Sequence, residues 1–307
     1  MTDAACFAIA ALGCYGAAQA LSGAKGLGAA WTWHSPRVAI ICWQAVGLAL
    51  GLSAIGVPLS LGLAPYGTST GSALRSLAGD LFGGGDLPPG LGVSQLALIG
   101  VGFGIAAVLL GSTVRSLLSA LRAQRRHRDL LALVARNDPA APGALVLDHP
   151  SAAAYCLPGV RPQVVVSAGT LSLLDRAQLA AVLSHERAHA DERHDLVLLP
   201  FTALCRALPW ARWVRAAHET VALLVEMRAD DKARKLHADA PLAAALLRFA
   251  TAGARITPVG ALGVADVHLD ARVRRLLAAP RPTRLPGATA LALATLLVSL
   301  PVSLLLR

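Results

Sequence analysis

Charge and aromatic side chains are both scarce in this sequence. Of its 307 residues, 15% are Asp, Glu, Lys or Arg and 4% are Phe, Trp or Tyr, while 55% are hydrophobic. Soluble domains carry about 25% charged residues, so a purely soluble globule is disfavoured. Disorder requires low hydrophobicity together with high charge, and it is excluded as the global state. Five cysteines are present, at positions 6, 14, 42, 156 and 205. Their number is odd and no C-x-x-C pair occurs, so neither a disulfide framework nor a cysteine-built zinc site is suggested. Acidic residues are the rarer charge, 18 against 28 Lys and Arg, leaving a net charge of +10.

The charge that is present is concentrated. Residues 112–284 hold 24 basic and 15 acidic residues, a net +9, and the rest of the chain is close to neutral. Four apolar runs lie outside the charged core of this block, at about 4–24, 38–64, 91–114 and 285–306. Each is long enough to cross a hydrocarbon layer as a helix. The first run lacks a basic n-region and carries Asp3, which favours a retained span over a cleaved signal peptide. Lys25 and Arg37 flank the first connection, and five arginines from Arg115 to Arg128 follow the third run. By the positive-inside rule both face the cytoplasm, with the N-terminus and a 65–90 outer loop facing outward. The basic excess therefore reads as a topology signal, and direct nucleic-acid binding is not expected. Trp31, Trp33 and Trp43 fit either an interfacial belt or ordinary packing.

The expected architecture is a mainly α membrane protein. Residues 1–118 hold three transmembrane helices, 119–284 a cytoplasmic domain and 285–307 a fourth transmembrane helix. Within the domain, Ala144–Leu147, Ala152–Cys156 and Gln163–Ser167 read as strands. Asp175 with Gln178 three residues later makes a capping-box start for a helix whose apolar face is Leu179, Val182 and Leu183. Further helices are expected at about Arg215–Lys235, from Pro241 onward, and at Asp270–Ala278.

The first of these helices carries His185-Glu186-x-x-His189. Positions i and i+4 share a helix face, so the two imidazoles can converge on one Zn²⁺. Glu186 can then reach the water on the metal, whose pKa zinc lowers toward about 7. A catalytic zinc takes three protein ligands and keeps one position open. Glu226, which starts Glu-x-x-Ala-Asp 37 residues after His189, is the candidate third ligand. Asp230, one turn beyond, is placed to orient a ligand imidazole. Asp195 is either such a second partner or a solvated acid. Arg187, Glu192 and Arg193 read as salt-bridged surface. His218, two turns before Glu226, is a candidate transition-state donor or a surface histidine. His149, His237 and His268 have no spacing argument and read as surface, and Met227 as core. The strand residues Val164, Val165 and Val166 are a candidate exposed edge onto which an extended substrate adds.

These residues, with Tyr155-Cys156-Leu157, the Leu208-Pro209-Trp210 turn, Arg193-His194-Asp195 and Val273 to Leu277, resemble the BlaR/MecR-type membrane metallopeptidases, peptidase family M56. So does the layout of three spans, a charged block and a fourth span. The resemblance implies a gluzincin-like α+β zinc-peptidase domain, with His185, His189 and Glu226 holding one zinc and Glu186 as general base. It also implies regulatory proteolysis of a cytoplasmic target such as a winged-helix repressor of the BlaI/MecI type. No segment resembling the penicillin-binding sensor domain follows the fourth run, so β-lactam sensing is not expected. Two other functions fit parts of the pattern: an HtpX/Ste-type quality-control protease of membrane proteins, or a non-catalytic membrane receptor with a vestigial metal site.

Overall fold

The computed structural model describes residues 2–23, 30–159, 161–252, 262–263, 269–278 and 284–307. They fall into two compact units. The first is built from helices α1 (Thr2–Ser22), α2 (Ala30–His34), α3 (Pro36–Gly62), α4 (Thr70–Gly83) and the first half of α5 (Val93–Val134), completed by the C-terminal helix and residues 203–217. Four of its helices, including the C-terminal one, are long and apolar enough to cross a membrane. Pro36 opens α3, where its missing N–H costs nothing. Pro58 sits inside the same helix, as membrane helices tolerate. Small residues set the helix approaches. A Cβ on Gly56 would meet the Phe7 ring at 2.5 Å, and one on Gly62 would meet the Ile99 nitrogen at 2.9 Å. Trp43 is buried, in keeping with the packing alternative.

The 65–90 connection is not simply irregular, because α4 occupies half of it. Ala73 and Leu77 pack against Leu59, Leu63 and Ile99, and Gly84 ends the helix in a left-handed conformation. Asp3 lies beside its start, where the carboxylate accepts the Thr70 N–H and hydroxyl, each at 2.9 Å. This accounts for an acidic residue at the head of an apolar run. The α5 helix is continuous from the third apolar run to Val134.

The second unit has a five-stranded sheet, β1 (Ala135–Asn137), β2 (Ala144–Leu147), β3 (Ala154–Leu157), β4 (Gln163–Ser167) and β5 (Leu262–Gly263), in the order β1-β2-β4-β3-β5. Only the β2–β4 pairing is parallel among the described strands. After β4 come α6 (Ala168–Leu173), α7 (Arg176–Asp191), α8 (His194–Ala207), α9 (Arg212–Ala233), α10 (Asp239–Thr251) and α11 (Leu269–Leu277), and the C-terminal helix is α12 (Arg284–Leu306). Alternation along β4 separates two packed layers. Val164 and Val166 join Val182, Leu183, Leu246 and Leu276 on one face, and Val165 joins Leu131, Tyr155 and Leu157 on the other. His127 of α5 meets the Tyr155 hydroxyl at 2.7 Å on that second face.

The expectation that Val164, Val165 and Val166 form a free edge is corrected here. Strand β4 is interior, hydrogen-bonded to β2 on one side and β3 on the other. Both backbone edges are therefore used, and no extended chain can add to it. A run of β-branched residues marks a strand buried on both faces as readily as one at an edge.

Candidate metal centre

Helix α7 begins with the expected capping box. Asp175 Oδ1 accepts the Gln178 N–H at 2.9 Å, and the Gln178 side chain accepts the Asp175 N–H at 3.2 Å. Its buried face carries His185, Glu186 and His189, each fully shielded from solvent. Helix α9 brings Glu226 to them. The two Nε2 atoms are 3.1 Å apart, and the Glu226 oxygens lie 3.3 Å from His185 Nε2 and 3.6 Å from His189 Nε2. Tetrahedral ligands at 2.0–2.1 Å from a metal sit about 3.3 Å from one another. The three donors thus already have the edge lengths of a zinc coordination shell, and all lie within 4.8 Å of one another. Two imidazoles and one carboxylate leave a fourth position open, which matches a catalytic zinc. His185, His189 and Glu226 form the metal site of a zinc peptidase.

Each imidazole is held from behind. His185 Nδ1 lies 2.9 Å from Asp230 Oδ1, one turn along α9 from Glu226. His189 Nδ1 lies 2.9 Å from His194 Nδ1, and His194 Nε2 faces Glu192 at 3.5 Å. A histidine that binds metal through Nε2 keeps its proton on Nδ1. With a metal on Nε2, the Nδ1 proton of His185 would face Asp230 and that of His189 the His194 ring. His194 then holds its own proton on Nε2, toward Glu192. Glu192 is fixed in turn by Arg228, whose Nε and Nη2 donate at 2.8 and 2.6 Å, and by Lys232 at 3.3 Å.

A buried arginine completes the back of the site. Arg272 of α11 is 1% exposed. It donates to Asp230 through Nε at 3.0 Å and Nη2 at 2.7 Å, and its Nη1 lies 3.0 Å from Glu226 Oε2. One guanidinium therefore bridges the metal-ligand carboxylate and the carboxylate that orients a ligand histidine. Burial works against ionisation of both acids, but Arg272 outweighs it. Glu226 is held down to about 2 and Asp230 lower still.

Glu186 has the opposite balance. Burial pushes its carboxyl up to about 8; the Glu226 carboxylate adds to the rise, and His185 and Arg272 oppose it. Between about pH 4.5 and 8 the folded, metal-free protein holds a proton here that the unfolded chain has released. Stability from this group therefore falls as pH rises across that window. Glu186→Gln is expected to raise the unfolding temperature of the metal-free protein, and by more at pH 8 than at pH 5. Thermal unfolding in chelator at both pH values checks this, and an equal effect at both contradicts it.

The remaining sequence candidates fall elsewhere. Asp195 pairs with Arg193 at 3.6 Å, and the neighbouring His194 takes the place beside a ligand imidazole. His218 lies 3.3 Å from the Thr202 hydroxyl and about 12 Å of helix rise from Glu226. It is not among the groups brought together at the metal site. Glu192 and Arg193 are ion-paired as expected, whereas Arg187 donates to the Pro142 carbonyl at 2.6 Å. Met227 is core. His237 meets Ser184 at 2.7 Å, His149 accepts the Ser151 N–H, and His268 lies outside the described residues. Reasoning from spacing missed Arg272 and His194. The available signals were Arg272 sharing a face with Leu276 at i+4, and a histidine following His189 at the start of a new helix.

Fold and site together define a membrane zinc metallopeptidase. Residues 120–255, the segment that holds His185, His189 and Glu226, match the profile of Peptidase family M48. The likeness to BlaR/MecR-type peptidases rests on the motifs alone. Neither a curated protein nor a solved structure matches the chain.

Proposed function

We propose that the protein is a quality-control endopeptidase of the HtpX/Ste type, acting on damaged or misassembled membrane proteins. The observation that carries this reading is the M48 match over the segment holding His185, His189 and Glu226, in a chain with four candidate spans. We place the peptidase domain on the cytoplasmic side, with the N-terminus outside, from the arginines after the third span. Cleavage of a BlaI/MecI-type repressor is the second reading. The Leu208-Pro209-Trp210 turn and the three-plus-one layout of spans favour it, and the family match weighs against it.

In the proposed mechanism His185, His189 and Glu226 would hold the zinc, which would supply Lewis-acid activation of a water and of the scissile carbonyl. Glu186 takes the proton of the attacking water and passes it to the leaving amine. Its dry surroundings favour the protonated form, which suits the second of these transfers. Asp230 and His194 fix the ligand rings, and Arg272 holds Asp230 and Glu226 in register. Partners of this kind are worth about 10–100-fold in metal affinity. Asp230→Asn and His194→Phe are each expected to weaken zinc binding by about that factor, measured by competition with a chromogenic chelator. Unchanged affinity in both variants removes them from the account.

Comparing protein N-termini in cells carrying the wild type or Glu186→Gln tests the function. New N-termini within integral membrane proteins are expected in the wild type only. A single cut in a soluble DNA-binding repressor would favour the second reading. No difference between the two cell lines would defeat both.

A further inference from the structure

Two large aromatic side chains at the turn between α8 and α9 are largely exposed. Trp210 is 75% exposed and Trp213 55% exposed. They flank the start of α9, whose other face is packed through the buried Ala211, Val214 and Ala217. Arg206, Arg212 and Arg215, close by in sequence, are exposed as well. Arg215 donates to the Pro209 carbonyl at 3.2 Å and ties the turn to the first turns of α9. From residue 196 to 218 no acidic side chain occurs. Residues 203–217 also belong to the compact unit formed by the candidate membrane helices.

We propose that this hairpin tip is a membrane-interface anchor, with Trp210 and Trp213 seated among lipid carbonyls and the three arginines on anionic headgroups. Indole is an amphipathic ring that partitions to the headgroup level, and a cationic helix face with Trp on it is the composition of an interfacial segment. An unbroken positive stretch is drawn to anionic lipid. Water is a poor neighbour for two exposed indoles in a chain so short of aromatics. The hairpin tip shares its compact unit with the candidate spanning helices, the part of the chain suited to lipid. The anchor adds a lipid contact to a segment that the four spans do not include, and it holds whichever substrate the site cleaves.

The test uses the full chain in vesicles of phosphatidylcholine and phosphatidylglycerol. Trp31, Trp33 and Trp43 are common to the wild type and the W210F/W213F variant, so the difference in emission isolates the hairpin indoles. That difference signal is expected to lose most of its intensity in lipids brominated near the headgroup, and to resist acrylamide. Quenching by acrylamide alone would place the indoles in water and overturn the proposal. Protection from both quenchers would place them against protein, such as a second copy of the chain, and would also overturn it. A variant with Arg206, Arg212 and Arg215 changed to Gln keeps every Trp and serves if the first fails to fold. Its bromolipid quenching is expected to lose the dependence on phosphatidylglycerol that the wild type shows. Retention of that dependence would contradict the proposal.

Discussion

Glu186→Gln is expected to lower peptide hydrolysis by about 10²–10⁴-fold, the usual contribution of a positioned acid–base group, while zinc stays bound at one ion per chain. The separation of the two effects follows from geometry. Glu186 lies on α7 beside the ligand His185, but the metal donors are the two Nε2 atoms and the Glu226 carboxylate. Gln keeps the volume of Glu and removes only its proton-accepting charge. His185→Ala is the opposite case. It deletes one of three ligands and leaves Asp230 without its imidazole, so metal and activity are lost together. Metal content and initial rate, measured on the same preparation, distinguish the two. Normal cleavage by Glu186→Gln would remove it as the base.

Arg272→Met carries the largest expected effect on stability. Two carboxylates depend on this guanidinium, Asp230 with a side chain 1% exposed and the part-buried Glu226 at 16%. Removing one partner of a buried ionic pair costs about 3–5 kcal/mol, because the charge left behind has neither water nor a counter-ion. Arg272→Lys is expected to recover only part of the loss, since an ammonium cannot make the paired donation to Asp230 or reach Glu226 in the same geometry. Adding Asp230→Asn to Arg272→Met is expected to restore some stability by removing the stranded charge. Denaturant unfolding in detergent measures all three. Purely additive losses would show that Arg272 and Asp230 act independently, against the structure.

The parts of this fold read correctly from sequence are those that local rules control. Spacing put His185 and His189 on one face of α7, and the capping box fixed where that helix starts. The apolar runs marked the four candidate membrane helices by length alone. Glu226 and Asp230 were legible because one turn of helix separates them, so a ligand and its neighbour's orienting partner come as a pair. What remained hidden depends on tertiary approach. Arg272 lies 42 residues beyond Asp230, in a short segment whose charge looks like solvated surface, and only packing of α11 buries it. His194 stands in a run of charged residues after a helix end, where Arg193 takes a positive φ of 50° and redirects the chain into α8. That turn brings the His194 ring back to His189 and leaves Asp195 with Arg193. The apolar β4 gave no sign of which strands would pair with it, and its edge status was misread for that reason. Helix α4 was hidden among Gly and Ser residues, whose weak helix propensity is overridden by the packing of Ala73 and Leu77.

The central claim is that the three-donor site and Glu186 make a hydrolase of this membrane protein. Its most direct test is cleavage of an unfolded membrane-protein substrate by the purified full chain in detergent, with zinc counted per chain. The account predicts one zinc per wild-type chain and cleavage abolished by chelator and restored by added zinc. It also predicts one zinc and no cleavage for Glu186→Gln. One zinc per chain with no cleavage of any unfolded substrate by the wild type would contradict it, as would cleavage that survives removal of the metal.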